Sequence, residues 1–345
     1  MTASAPVLVT RPEGLYCAAG DVYIDPWRPV ERAVLTHAHS DHARPGHGSY
    51  LAAQAGAAIL RERLGDISLQ TLPYGERLHC GDAWLSLHPA GHVLGSAQVR
   101  IEADGETWVV SGDYKLADDA TCAPFEPIAC DVFVTESTFG LPIYRWQPTN
   151  VLLDEIHAWW RENAALGRCS LLFCYALGKA QRILFGLDTS LGPILAHGAV
   201  ERLNQVYRQA GVRLPATQYP ADVQDKAAIG RALVLAPPSA ANTPWLRRFG
   251  DYSPGFASGW MQVRGTRRQR RIERGFALSD HADWPGLVAA IRATGAGRIL
   301  VTHGLADPLA RYLQELGLDA HALNLDYGEE DTAATAAAID PSAKA

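Results

Sequence analysis

The stretch from His37 to His42 limits the folds and the chemistry open to this chain more than any other part of its sequence. It places three imidazoles and one carboxylate within six residues, in the order His-Ala-His-Ser-Asp-His. Imidazole nitrogen and carboxylate oxygen are the usual protein ligands of divalent ions such as zinc. In an extended segment, residues two apart point the same way, so His37 and His39 can grip one ion. Asp41 and His42, after a turn, can then face a second ion. A polar surface loop that is merely rich in histidine is the alternative interpretation.

The overall composition is that of a soluble globular protein, with 345 residues, 48% hydrophobic and 20% charged. No apolar run approaches the roughly 20 residues of a membrane span, and residues 1–11 lack the apolar core of a signal peptide. We therefore expect a cytoplasmic protein without a membrane partner. The six cysteines form no Cys-x-x-Cys pair, so we expect reduced thiols and a metal held by His and Asp.

The net charge of −6 is unevenly distributed along the chain. Residues 141–276 hold 18 Lys and Arg against 9 Asp and Glu, whereas the remainder holds 13 against 28. A basic central segment flanked by acidic segments is expected when the central segment binds a polyanion and the flanking segments bind cations. The pattern favours a nucleic-acid substrate over a neutral one.

Polar residues of metal-binding or acid–base type recur where apolar strands are predicted to end. They are Asp25, His37, His92, Asp113, Glu136, His281 and His303. Loops at the ends of buried strands are where rigid scaffolds carry chemistry. We group the candidate ligands into two sets, with His37, His39, His92 and Asp113 for one ion and Asp41, His42 and His303 for the other.

Asp113 is the carboxylate that could bridge the two sets. Two divalent ions that share a hydroxide lower the pKa of water and neutralise charge at a phosphoryl centre, so the implied chemistry is hydrolysis. We interpret Asp25 as a carboxylate that orients a ligand imidazole; a turn cap before Pro26 is the alternative.

Local patterns predict a hairpin with Asp104-Gly105 as its turn and, after residue 141, an alternation of helix and strand. The predicted helix 151–164 would be capped by Thr149 or Asn150. Strands are predicted at 170–174, 193–196, 232–236 and 257–263. We expect a small α/β domain with a mostly parallel sheet there, and a disordered Ala-rich tail over 331–345.

These motifs together resemble those of a known family. Asp25, the stretch from His37 to His42, His92 and Asp113 resemble the successive motifs of the metallo-β-lactamase fold. Glu136, Ser279-Asp280-His281 and Thr302-His303-Gly304 resemble the additional motifs of its β-CASP nuclease branch. The segments 138–146 and 175–181 are most similar to the bacterial ligase-associated DNA exonucleases, often labelled mRNA 3'-end processing factors.

The resemblance implies an α/β fold, an αββα metallo-β-lactamase sandwich with an inserted β-CASP α/β domain. Residues 1–140 and 277–330 would form the discontinuous metal domain and 141–276 the insertion. It also implies the two ligand sets above, completed by His303, with two divalent ions, zinc or alternatively manganese. His281 would be the general acid that protonates the leaving oxygen, and Glu136 would orient it. Asp41 counts as both ligand and catalytic residue.

The basic insertion would contact the phosphates of a nucleic-acid strand. We assign Lys179 and Arg182, at a helix start after Gly178, to phosphate contact, and Ser279 to substrate binding. A solvated basic helix face is the alternative for Lys179 and Arg182. The arginine-rich run from Arg264 to Arg274 is a further candidate for phosphate contact, with a solvated strand or loop as the alternative.

The predicted function is a two-metal phosphodiesterase that cleaves single-stranded or frayed DNA from an end, in DNA repair. A DNA ligase and a helicase of a repair system are partners implied by the resemblance alone. The nearest alternative is a ribonuclease or RNA 3'-end processing nuclease of the same branch, since no motif reads the 2'-hydroxyl. A hydrolase of small esters or thioesters on the same fold is a second alternative. A non-catalytic nucleic-acid-binding subunit is a third, which the intact ligand set disfavours.

Overall fold

The computed structural model describes residues 6–263, 274–323 and 325. The predicted tail, 331–345, and the arginines from Arg264 to Arg271 lie outside the described residues. The described chain divides into two compact units. One comprises the residues up to Arg145 and those from His281 onward, and the other is Trp146–Asp280.

The first unit is built on two β-sheets. The six-stranded sheet has the order β1 to β6, namely Leu8–Arg11, Gly14–Cys17, Val22–Ile24, Arg32–Val34, Ser49–Ala53 and Leu69–Leu72. The seven-stranded sheet has the order β18-β17-β11-β10-β9-β8-β7, where β7 is Arg77–Cys80, β8 Ala83–Pro89, β9 Ala97–Ala103, β10 Glu106–Val110, β11 Val132–Thr135, β17 Arg298–Val301 and β18 Asp319–Ala322. The helices of this unit are α1 (Ala57–Leu64), α6 (Trp284–Thr294) and α7 (Ala306–Glu315).

The strand directions bring the polar strand ends to one edge of the seven-stranded sheet. β10, β11 and β17 are mutually parallel, and β8 is antiparallel to β9, which is antiparallel to β10. The strands β8, β10, β11 and β17 therefore run in one direction, and their carboxyl ends lie at one edge. The residues that follow those ends are His92, Asp113, Glu136 and His303, as the strand-end pattern predicts.

The core of the first unit lies on both faces of the seven-stranded sheet. One buried cluster joins side chains of both sheets, including Leu15, Val34, Leu85 and Ile101. A second cluster covers the opposite face with residues of α6 and α7, including Leu287 and Leu313. Two sheets face to face with helices outside make a layered sandwich, in which each sheet buries the apolar side of its alternating strands.

The hairpin between β9 and β10 turns at Asp104 and Gly105, as predicted, with φ of 52° and 80°. Positive φ at both central residues is the geometry that matches the right-handed twist of an antiparallel pair.

The second unit has a five-stranded sheet in which all neighbouring strands are parallel, as predicted. Its order is β13-β14-β12-β15-β16, where β12 is Cys169–Phe173, β13 Ile194–Ala196, β14 Leu233–Ala236, β15 Tyr252–Ala257 and β16 Arg274–Phe276. The helices are α2 (Thr149–Ala165), α3 (Lys179–Phe185), α4 (Gly198–Gln209) and α5 (Lys226–Gly230). α2 packs on the sheet through Trp159, whose indole Nε1 donates to Ser253 Oγ at 3.0 Å.

Two local predictions in this unit are wrong. The helix predicted from residue 151 begins at Thr149, and Pro148 rather than a hydrogen-bonding side chain precedes it. The strand predicted over 257–263 ends at Ala257, and Gly259–Gln262 is a 3₁₀ helix. Ser258 causes that change because its side chain accepts a hydrogen bond from Trp260 N, which starts a helical turn inside an apolar run.

All six cysteines are free thiols, as predicted. Within the described residues, every helix is too short or too polar to serve as a membrane span.

Candidate metal centre

The His-rich loop leaves β4 and is fixed at its start by Asp25. Thr36 N donates to Asp25 Oδ1 at 2.8 Å, and Thr36 Oγ1 donates to Asp25 Oδ2 at 2.6 Å. The loop then turns, because His42 N and Ala43 N both donate to the carbonyl of His39 at 3.2 and 2.7 Å. The turn places His42 Nδ1 2.7 Å from Asp25 Oδ2. Asp25 thus contacts a candidate ligand imidazole, the contact proposed for it from the sequence.

The first predicted ligand set converges within a few ångströms. The distances are 3.1 Å from His37 Nε2 to His39 Nδ1 and 3.0 Å from His92 Nε2 to His39 Nδ1. Asp113 Oδ2 lies 3.4 Å from His37 Nε2 and 3.7 Å from His92 Nε2. A tetrahedral ion with bonds of about 2.0–2.1 Å holds its ligand atoms about 3.3 Å apart. The four side chains therefore have the spacing of a tetrahedral zinc site.

The second predicted set adjoins the first. His42 Nε2 lies 3.6 Å from Asp41 Oδ2 and 3.5 Å from Asp113 Oδ2. The rings of His42 and His303 stack with centroids 4.9 Å apart and planes 10° from parallel. Ligand atoms of His42, Asp113 and His303 all lie within 4.8 Å of one another. The structure thus brings together all seven residues that the sequence assigns to metal binding.

Asp113 is the carboxylate common to both sets. Its Oδ2 faces imidazole nitrogens of both groups, whereas its Oδ1 is buried without a hydrogen-bond partner. A buried carboxylate oxygen without a donor is costly unless a cation satisfies it. The buried Oδ1 of Asp113 and the imidazoles around it therefore fit a divalent ion.

Burial and crowding strongly perturb the charges at this centre. Burial raises the pKa of Asp113 to about 7, although the imidazole of His42 acts to lower it. Burial opposes protonation of His42, but Asp113, Asp41 and Asp25 outweigh it and raise its pKa to about 10. Burial, with His42 nearby, lowers the pKa of His303 to about 3. Burial thus keeps the imidazole of His303 neutral, which is the form that binds a metal ion.

His303 depends on a strained turn after β17. Its φ is 55°, and it is followed by Gly304 at φ 62°, where a Cβ would lie 2.5 Å from Thr138 Cα. Ser137 Oγ donates to the carbonyls of Thr302, at 3.0 Å, and His303. A side chain at position 304 would collide with backbone, so the motif Thr-His-Gly requires its glycine.

Glu136 and His281 form a buried pair beside Asp113. His281 Nδ1 lies 3.1 and 3.0 Å from the two carboxylate oxygens of Glu136 and 3.9 Å from Asp113 Oδ2. Tyr114 N donates to Glu136 Oε1 at 2.8 Å. Burial alone would raise the pKa of Glu136, but His281 outweighs it and lowers that pKa. The lowered pKa favours the ionised carboxylate of Glu136, and both of its oxygens face Nδ1 of His281.

The predicted substrate-binding residues are buried in the second unit. Arg182 Nη1 donates to Ser279 O at 2.5 Å and lies 3.5 Å from Asp280 Oδ1, and Arg182 Nη2 donates to Thr149 Oγ1 at 2.7 Å. Lys179 Nζ lies 3.5 Å from Asp280 Oδ2. Lys179 and Arg182 thus hold the segment just before His281. Phosphate contact stays a prediction.

Sequence reasoning missed several residues that support the centre, among them Thr36, Ser137 and Lys115. Lys115 is 1% exposed and pairs with Asp119 Oδ2 at 2.6 Å. The signal for Lys115 was the i, i+4 spacing of Lys and Asp directly after the ligand Asp113. Thr36 and Ser137 gave no signal, since a hydroxyl acquires its role only from the backbone that folds against it.

The chain is similar to several known nucleic-acid enzymes. It is 32% identical over 316 residues, 91% of this chain and 31% of that protein, to a probable DNA ligase of Opitutus terrae. It is 29% identical to ribonuclease TTHA0252 of Thermus thermophilus, over 47% of this chain and 44% of that protein. It is 32% identical to endoribonuclease YSH1 of Yarrowia lipolytica, over 35% of this chain and 14% of that protein. The chain spans less than half the length of each of these relatives.

Among solved structures, a protein of unknown function from Enterococcus faecalis V583 superposes with a TM-score of 0.57 at 12% identity. The match covers 86% of this chain and 80% of that one. At that identity the likeness concerns the fold alone. No protein-family model matches the chain.

Proposed function

We propose that the chain is a two-metal phosphodiesterase of the β-CASP branch of the metallo-β-lactamase fold, which hydrolyses single-stranded or frayed DNA. The predicted α/β fold class is confirmed by the sheets and helices of the two units. We propose that the hydrolysis proceeds from a strand end and serves DNA repair, with residues 141–276 as an inserted substrate-binding domain.

One observation carries the proposal. Asp113 Oδ2 lies within 3.7 Å of imidazole nitrogens from both ligand groups, and the Glu136–His281 pair adjoins the same carboxylate. A bridging carboxylate between two sets of ligands is the arrangement of two-metal hydrolases. A charged imidazole beside it supplies a proton donor, which a leaving oxygen requires.

The donor set fits zinc, because imidazole nitrogens dominate it, and its carboxylates admit manganese. Divalent ions held by these residues would supply charge neutralisation at the phosphoryl centre and would lower the pKa of water. His281 donates a proton from Nε2, since its Nδ1 faces Glu136. Glu136 holds that imidazole in place, and its own orientation is fixed by Tyr114 N. Burial of Glu136, 1% exposed, keeps water from competing for the contact.

DNA is the favoured substrate because the relative whose match covers 91% of this chain is named a DNA ligase. RNA is the second candidate, because two relatives with shorter matches are named ribonucleases. The basic segment 141–276 suits either polyanion. We also propose that a DNA ligase is a functional partner, because the similar segment of the Opitutus protein is about a third of a longer chain named as one. A helicase partner stays a prediction from the resemblance.

Matched DNA and RNA oligonucleotides, labelled at the 5' or 3' end, test the proposal in the presence of zinc or manganese. We expect the metal-loaded protein to shorten single-stranded DNA progressively and to degrade RNA more slowly. His281→Ala should keep its metal content and lose turnover. His321→Ala is the control, since that histidine is exposed and its Nε2 lies 2.7 Å from Asp319 Oδ1. Cleavage of neither polymer with either metal would refute the proposal, and preferential cleavage of RNA would select the second candidate.

A further inference from the structure

The turn that carries His92 is gripped along its backbone by the residues that follow Asp113. Four successive carbonyls, from Pro89 to His92, each accept a hydrogen bond from the segment 115–126. The donors are Glu126 N to Pro89 O at 3.2 Å, Lys115 N to Ala90 O at 3.1 Å, Cys122 Sγ to Gly91 O at 3.4 Å and Lys115 Nζ to His92 O at 3.4 Å. We call residues 115–126 the carbonyl clamp.

The clamp leaves no space inside the turn. Gly91 has a φ of 74°, and a Cβ there would lie 2.2 Å from Lys115 O and 2.9 Å from Phe125 N. From the other side, Gln98 Nε2 donates to both Pro89 O, at 2.9 Å, and Glu126 O, at 2.6 Å. One buried amide of β9 thus fastens the turn and the end of the clamp together.

Lys115 is the charged member of the clamp, and its burial is unusual for a lysine outside an active site. It is 1% exposed, and its ammonium meets Asp119 Oδ2 at 2.6 Å. Asp119 Oδ1 in turn accepts from Thr121 N at 2.9 Å and Thr121 Oγ1 at 2.6 Å. A buried ion pair is stable only when its geometry is good and its remaining polar atoms are hydrogen-bonded. Removal of one partner leaves a buried, uncompensated charge, which is costly. The pair therefore holds a loop without regular secondary structure in one conformation.

The clamp begins two residues after Asp113 and ends on the turn of His92, so it joins two members of the same ligand set. Their ligand atoms, Asp113 Oδ2 and His92 Nε2, lie 3.7 Å apart. A tetrahedral site tolerates errors of only about 0.2 Å in its bonds. So small a tolerance in bond length requires that both ligands be fixed to one rigid segment.

We propose that the carbonyl clamp, through the Lys115–Asp119 pair, sets the position of His92 relative to Asp113 and thereby the affinity of the first metal site. The proposal rests on the proposed metal centre. Lys115 is a positioning residue, since its ammonium donates to the backbone carbonyl of His92 and not to a ligand atom of the site. Loss of a supporting contact of this kind lowers metal affinity by about 10–100-fold.

The test compares the full chain with the double variant Lys115→Met, Asp119→Asn. The double change removes both charges together, and asparagine keeps an oxygen for the hydrogen bonds from Thr121. Ile101→Ala is the matched control, because Ile101 is buried in the cluster between the two sheets and belongs to neither the clamp nor the turn. Zinc affinity is measured by competition with a chelator, the geometry by the visible absorption of the cobalt-loaded protein, and stability by thermal unfolding of the metal-free protein.

We expect the double variant to bind one of two zinc ions about 10–100-fold more weakly and to show an altered cobalt spectrum. Ile101→Ala should unfold at a lower temperature and keep both affinities. The inference is overturned if the double variant keeps wild-type affinities and spectrum, if Ile101→Ala weakens zinc binding equally, or if the wild type binds no zinc. Failure of the nuclease proposal looks different, because a wild type that binds two ions but cleaves no strand leaves the affinity comparison intact.

Discussion

Replacing Glu136 with glutamine tests whether this carboxylate acts through His281. Glutamine keeps the shape of the side chain and an oxygen for the hydrogen bond from Tyr114 N. It removes the negative charge whose two oxygens lie 3.1 and 3.0 Å from His281 Nδ1. The change therefore leaves the fold of the strand end intact and removes one interaction, the charge-assisted contact with the imidazolium.

The expected magnitude follows from that contact. Glu136 is 1% exposed, so water cannot replace the lost carboxylate. A hydrogen bond between charged groups contributes about 1.5–3 kcal/mol. Since about 1.36 kcal/mol corresponds to a tenfold change in rate, kcat should fall by about 10–150-fold. KM and metal content should stay within about twofold of wild type, because an interaction made through His281 affects the proton transfer and not the binding of substrate.

The assay is steady-state cleavage of a labelled strand by protein of measured metal content. Glu102→Gln, which removes a surface carboxylate paired with Arg77, is the control. In a His281→Ala background the Glu136→Gln change should have little further effect, because both changes remove the same function. Loss of a metal ion in Glu136→Gln, or a full additional effect in the His281→Ala background, would refute the reasoning and make Glu136 a ligand or an independent group.

Three further predictions concern a backbone position, a support of the second ligand set and the thiols. Gly91→Ala should lower the free energy of unfolding by more than about 2 kcal/mol, because it combines positive φ with a collision. Urea unfolding measures this, with Gly105→Ala as control, since Gly105 has a φ of 80° but nothing within 4 Å of its added Cβ. Asp25→Asn should weaken metal binding by about 10–100-fold, because it loses the carboxylate 2.7 Å from His42 Nδ1. Chelator competition measures it. Burial raises the pKa of Cys174 to about 12 and that of Cys130 to about 11, so these two thiols should resist alkylation at pH 8 in the native protein. Labelling should increase steadily with pH, since the thiolate form is scarce until those pKa values are approached.

Contrary outcomes are distinct for each of the three. Equal losses in Gly91→Ala and Gly105→Ala would mean that φ alone decides stability at both positions. Unchanged metal affinity in Asp25→Asn would reduce Asp25 to a cap of the turn before β4. Rapid alkylation of Cys174 at pH 8, detected by mass spectrometry before unfolding, would contradict its burial.

The candidate metal centre could be predicted almost completely from the sequence. His37, His39, His92 and the other candidate ligands are residue types with few structural uses at strand ends, so their chemistry is visible in the one-dimensional pattern. The parallel sheet of the second unit could also be predicted from the sequence, because predicted strands and helices alternate at regular spacing. The boundary errors at Thr149 and Ala257 arose where a local cap, such as Ser258, overrode the apolar pattern.

The tertiary structure decided which groups support those ligands. Lys179 and Arg182 look like phosphate contacts in sequence, yet each is paired with Asp280 in the fold. Nothing in the sequence reveals that four carbonyls of the His92 turn are held from residues 115–126, because a backbone acceptor has no residue identity. The sequence by itself determined the ligand chemistry and the fold class, which depend on side-chain type and periodicity. The tertiary structure alone decided the positions of those ligands, since they depend on backbone groups brought together from distant parts of the chain.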